Sequence, residues 1–136
     1  MKFCKLNGKT VYKNISKYLI KWDGESKSKL QFSVKQFLKP FWSRCVCYEE
    51  MPLAGTKLSL DIVNLTKGIA VEVHGDQHKD YVKYFHGNRE GFVRQIERDV
   101  RTGEWCQMNN LLLVEIYTDD FPLKTEWFKE YYDITL

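Results

Sequence analysis

Residues 57–78 read KLSLDIVNLTKGIAVEVHGDQH, and the fold follows from how they alternate. Leu58, Leu60 and Ile62 interleave with Ser59, Asp61 and Val63; Ile69, Val71 and Val73 interleave with Ala70, Glu72 and His74. A period of two over runs this short marks a pair of half-buried strands. One face is apolar and the other carries Asp61, Glu72 and His74. A turn centred between Thr66 and Lys67 sets Asp61 directly across from Glu72, with Cβ atoms about 5 Å apart. Two carboxylates then share one small site, with an imidazole one pleat further on.

Upstream, Arg44 to Glu50 (RCVCYEE) reads as another strand, with its turn at Pro52 and Ala54-Gly55-Thr56. A turn centred between Gly55 and Thr56 opposes Glu50 to Asp61, so Glu50, Asp61 and Glu72 form a row across a three-stranded meander. The row depends on both turns being two residues long, because a slip of one residue turns every side chain over.

Downstream, residues 75–87 (GDQHKDYVKYFHG) show no apolar period and read as a loop over the mouth of the hairpin, contributing His78. A helix from about Asn88 to Met108 follows. Phe92, Ile96 and Val100 form its core stripe, Asp99 falls on that stripe, and Arg94, Arg98 and Arg101 form a basic one. Leu111 to Tyr117 (LLLVEIY) suits a strand covered on both faces. Lys124 to Tyr132 offers a short aromatic helix.

Nearer the start, Asn7-Gly8 is a turn signal between strand-like flanks, predicting an extended basic hairpin arm over residues 1–24. Leu30, Val34, Phe37 and Leu38 have helical spacing from Ser26 or Ser28 onward; Pro40 stops that helix, and Lys27, Lys35 and Lys39 are among its exposed positions.

At 136 residues, 43% hydrophobic and 15% aromatic, the chain suits one core. Its 21 Lys and Arg against 18 Asp and Glu give a net charge of +3, which permits nucleic-acid binding without demonstrating it. The first 44 residues hold eleven Lys or Arg against Asp23 and Glu25, so the N-terminal third is basic. Cys4, Cys45, Cys47 and Cys106 fit neither a C-x-x-C zinc pattern nor a disulfide framework. No apolar run approaches a membrane span, which takes roughly 18 residues. A soluble protein of a reducing compartment, the cytoplasm, is the expectation.

Carboxylates converging from neighbouring strands suit a hard cation such as Mg2+ or Mn2+, which takes Asp or Glu oxygens and keeps waters for a phosphate. His74 can accept a proton from an attacking water or hydrogen-bond a phosphate oxygen, so the parts fit metal-assisted phosphodiester hydrolysis. Lys9, Lys13, Lys27, Lys29, Arg94, Arg98 and Arg101 are the candidate nucleic-acid contacts. The His74-x-Asp76-x-His78 pattern is a low-specificity zinc signal.

Taken in order, these elements resemble the PD-(D/E)xK nuclease superfamily over roughly residues 26–117. Ser59-Leu60-Asp61 stands for the first half of the motif and Glu72-Val73-His74 for the second, with histidine replacing the usual lysine. That replacement, with Gly75 and His78, looks like the branch of very-short-patch repair endonucleases and phage EDxHD homing endonucleases. The resemblance implies a single α/β (α+β) domain over residues 1–136: a restriction-endonuclease-like mixed sheet flanked by helices, with the basic arm at one end and the aromatic helix within residues 118–136. It implies metal coordination by Asp61 and Glu72, a catalytic role for His74, auxiliary acids at Glu50 and Asp99, and His78 beside them. The implied activity is a Mg2+- or Mn2+-dependent endodeoxyribonuclease of phage homing type. It would cut or nick duplex DNA, alone or as a homodimer, in the host-cell cytoplasm if phage-encoded.

The chain departs from the family where relatives start the first helix with a site-facing glutamate. Gln31 stands there, leaving Glu25, Glu49 or Glu50 as substitutes. The zinc-binding cysteines and aromatic wedges of the patch-repair enzymes are not found. Other readings are a nucleic-acid-binding protein on a nuclease scaffold, a mismatch- or structure-specific nickase, and a junction- or RNA-directed nuclease.

Overall fold

In a computed structural model, residues 1–75 and 89–136 are described, the side chains of Arg89 and Phe92 apart. Four strands form the central sheet: β3 (Cys47–Pro52), β4 (Ser59–Asn64), β5 (Ile69–His74) and β6 (Leu112–Tyr117), in that spatial order. The first two pairings are antiparallel and β5–β6 is parallel, so the sheet is mixed. A separate hairpin pairs β1 (Lys2–Cys4) with β2 (Thr10–Tyr12). The helices are α1 (Lys29–Trp42), α2 (Arg89–Met108) and α3 (Thr125–Tyr132).

Both expected turn centres hold, although neither turn has two residues. Leu53 N–H bonds to Leu58 O, Asn64 pairs with Ile69, and each loop spans four residues, 54–57 and 65–68. Lengthening a turn evenly about its centre keeps the parity of the pairing, so the register survives. The first strand of the meander is displaced, running over Cys47–Pro52 rather than residues 44–50.

The apolar residues sort into two clusters. Val34, Leu38 and Trp42 of α1 pack on Ile62, Val71, Val114 and Ile116, with Phe128 of α3 in the same cluster. Trp105 and Cys106 of α2 pack with Val63, Ala70, Met51 and Leu60. The hairpin is therefore covered on both sides, not left with one wet face. Val63 and Ala70 fall on the side of Asp61 and Glu72 by the two-residue period, and both are buried.

Four further expectations are corrected. Pro40 lies inside the last turn of α1, because burying Trp42 extends the helix past it. Lys35 is fully buried rather than exposed: its ammonium bonds Glu49 Oε1 at 3.0 Å and Gly24 O at 2.7 Å. On α2, Ile96 and Val100 are 42% and 53% exposed; the inward stripe is instead Gln95, Asp99, Thr102 and Cys106, which follows the site's polarity rather than apolar period. The N-terminal hairpin is docked, not an extended arm. Phe3 packs on Trp105 with ring centroids 5.5 Å apart, and Asn109 Oδ1 accepts from Cys4 N at 2.8 Å. Among the described residues, no helix is long and apolar enough to cross a membrane.

Candidate active site

Where the β4–β5 ladder ends, a side chain replaces the next rung. The last ladder pair is Ile62 with Val71, and beyond it Val73 N–H donates to Asp61 Oδ2 at 2.7 Å. Asp61 is thereby fixed at 2% exposure in the floor of a cleft of about 320 Å³, together with Glu72 and His74. Gln95, Arg98, Asp99 and Thr102 of α2 line the same cleft, and Gln95 Nε2 donates to Asp99 Oδ1 at 3.0 Å. Asp61, Glu72, His74 and Asp99, placed together from sequence, are together here. His78 lies outside the described residues.

Glu50 departs from its expected place. Its neighbours in β3 keep the register that would oppose it to Asp61, but it adopts φ = 55° and does not line the cleft. A left-handed residue breaks the pleat, and the carboxylate turns toward α1, where Gln31 Nε2 donates to it at 3.0 Å. Glu49 is also held away from the cleft. It accepts from Ser26 Oγ at 2.6 Å, Gln31 Nε2 at 2.9 Å and the buried Lys35. The row of three expected from Glu50, Asp61 and Glu72 is not formed.

A different third acid takes its place. The parallel register pairs Glu72 with Glu115, and the two carboxylates line one cleft with Asp61. His74 Nε2 lies 3.4 Å from Glu115 Oε1 without hydrogen-bond geometry, and it has no other bonded partner among the described residues. The His74 ring stacks on Tyr117 at 4.7 Å, which fixes its plane. Glu115 carried a signal in the sequence, a lone acid inside an apolar strand. Only the parallel register shows what it faces.

Lys27 is exposed, as expected, and reaches into the site. Its ammonium is 2.6 Å from Asp61 Oδ1 and 3.7 Å from Glu50 Oε1. Burial lowers its pKa, but the Asp61 hydrogen bond and the charges of Asp61, Glu50 and Glu72 outweigh that and raise it, so it is a cation. Of the other basic candidates, Arg98 lines the cleft. Lys9, Lys13, Lys29, Arg94 and Arg101 are exposed and do not line it.

Charge crowding shows most in Glu72. Burial, and then the Asp61 carboxylate beside it, push its pKa from 4.5 up to about 10. In the cation-free protein at neutral pH the pair therefore keeps a proton. A carboxyl whose folded pKa is raised contributes stability fully present below its unfolded value and lost as pH rises toward the folded one. Glu72→Gln, neutral at every pH and able to donate to Asp61, is expected to stabilise the cation-free protein by about 2 kcal/mol at pH 7. The gap from wild type should grow upward from pH 4.5. Urea denaturation across pH in EDTA measures it, and a variant no more stable than wild type would contradict the crowding.

Among the described residues no three His, Cys, Asp or Glu side chains converge on one point as a ready metal cage. A Mg2+-type ion does not require one, since it binds through one or two carboxylates and keeps its waters. The donor set fits such an ion: Asp61 and Glu72 offer carboxylate oxygens, and the Lys27 ammonium already stands as a cation on Asp61.

Sequence comparison finds viral relatives over part of the chain. Uncharacterized protein 033L of Invertebrate iridescent virus 3 is 31% identical over 86 residues, covering 63% of this chain and 44% of that protein. Uncharacterized protein 307L of Invertebrate iridescent virus 6 is 36% identical over 67 residues, 48% of this chain and 34% of that one. Uncharacterized protein 094L of Frog virus 3 is 36% identical over 66 residues, 48% and 43% respectively. The chain thus spans less than half the length of each of these relatives. No protein-family model and no solved structure matches it.

Proposed function

We propose that the chain is a divalent-cation-dependent nuclease that cuts or nicks duplex DNA, on a restriction-endonuclease-like core of the phage homing type. The observation that carries this is the buried Asp61, fixed by Val73 N–H and answered by a cationic side chain at 2.6 Å, with Glu72 and His74 in the same cleft. Asp61 and Glu72 are the residues that would hold Mg2+ or Mn2+. When bound, such an ion would supply Lewis acidity toward a water and charge neutralisation at a phosphate. His74 Nε2, with no hydrogen-bond partner among the described residues, would serve as the group that accepts a proton from a water in the cleft. Arg98 and Lys57 line the cleft and pair with phosphate oxygens. One such site cuts one strand, so a double-strand break takes a homodimer or two encounters. The host-cell cytoplasm remains the proposed place of action.

A second reading, nucleic-acid binding without hydrolysis, is favoured by one observation: Lys27 already balances Asp61 without any metal. Incubating supercoiled plasmid with purified protein and Mg2+ or Mn2+, with EDTA and Asp61→Asn controls, separates the two. Cation-dependent nicked or linear product from wild type is expected. Retarded but uncut plasmid would overturn the nuclease reading.

A further inference from the structure

Both oxygens of Asp61 are engaged, and the two donors differ in what they can do. Oδ2 is held by Val73 N–H, a backbone group of β5 that cannot move without undoing the strand. Oδ1 is held by Lys27 Nζ, at the end of a flexible side chain 55% exposed, on the loop just before α1. A divalent cation competes for the Asp61 oxygens, and of these two contacts the Lys27 one is released by a side-chain rotation.

We propose that Lys27 is a tethered counter-ion: its ammonium occupies the acid site of the cation-free protein and competes with Mg2+ or Mn2+ for Asp61 Oδ1. The proposal rests on the cation-dependent reading above. A place for the displaced ammonium is already built. Glu50 Oε1 lies 3.7 Å from Nζ, held there by the amide of the fully buried Gln31. The left-handed backbone of Glu50 aims that carboxylate out of the strand row and toward Lys27. Lys27 thus has two acceptors, and a rotation of its side chain carries it from one to the other.

Charge decides who wins. A tethered ammonium competes at high effective concentration and loses no translational freedom on binding. It carries one charge, and a cation with two gains about twice the Coulomb energy at the same distance from the same acids. Monovalent ions gain no such advantage, so the contact sets a threshold that divalent cations cross. With the cation in place, the Lys27 side chain is left at the mouth of the cleft beside the phosphate path.

The test reads cation binding without nucleic acid. Mn2+ is titrated into the wild-type chain, Lys27→Met and Lys27→Arg, with free Mn2+ followed by electron paramagnetic resonance and folding checked by circular dichroism. Lys27→Met should bind Mn2+ about tenfold more tightly than wild type, the loss of one charge-assisted hydrogen bond. Lys27→Arg, which keeps the charge, should stay within about threefold of wild type. Equal or weaker binding by folded Lys27→Met, with wild type binding normally, overturns the counter-ion and leaves the cation-dependent reading standing. Absence of Mn2+ binding by all three proteins overturns both.

Discussion

Asp61→Asn is expected to lower cation-dependent cleavage by about a thousandfold or more, the loss of a ligand charge that stabilises the transition state by several kcal/mol. The fold should be nearly unchanged. The amide oxygen still accepts from Val73 N–H, whose bond at 2.7 Å replaces the missing rung of the ladder, and Lys27 can turn to Glu50. Asp61→Ala is a poorer choice, because it leaves Val73 N–H unpaired at about 1–3 kcal/mol and mixes loss of stability with loss of activity. Measured initial rates on plasmid, at matched folded fractions, check the prediction. Cleavage by Asp61→Asn at a wild-type rate would remove Asp61 from the chemistry.

Lys35→Ala is expected to cost about 3–5 kcal/mol, the range for breaking a buried ion pair from one side. Lys35 has no exposed surface, and its ammonium joins Glu49 to Gly24 O. Without it, Glu49 keeps Ser26 and Gln31 among the described residues, and the space left by the alkyl chain adds a cavity beside Val34 and Leu38. Urea denaturation at pH 7 measures the loss. Lys35→Met should recover part of it by refilling the volume, and a loss under about 1 kcal/mol for Lys35→Ala would mean that the pair behaves as if it were on the surface.

Lys35 also shows where sequence reading stops. Its position was legible: Val34, Lys35, Leu38 and Trp42 share one helical side by spacing, and all four are buried. The charge argued it outward, since a buried ammonium is uncommon without a partner, and the partner lies on β3. The β4–β5 pairing was legible because parity about a turn centre is a local property, unaffected when both turns proved longer. Glu115 was not, because a parallel register is set by how the connecting segment packs rather than by any turn. Glu50 failed for a related reason: alternation assumes an unbroken pleat, and one left-handed residue removes that assumption. On α2 the apolar spacing of Ile96 and Val100 pointed to solvent, and the inward stripe was polar because it faces a site rather than a core.

The parallel partnership of β5 and β6 has a consequence for the chain as it is synthesised. Asp61, Glu72 and His74 emerge early and close together, but Glu115 and the cleft wall of α2 arrive only after the helix has been made and β6 has returned beside β5. Until then the acid pair has no wall and His74 has no Tyr117 to lie against. Completing the cleft is therefore tied to the slowest kind of contact to form, one between segments far apart in the chain. A nascent or truncated chain would carry the motif without the cleft.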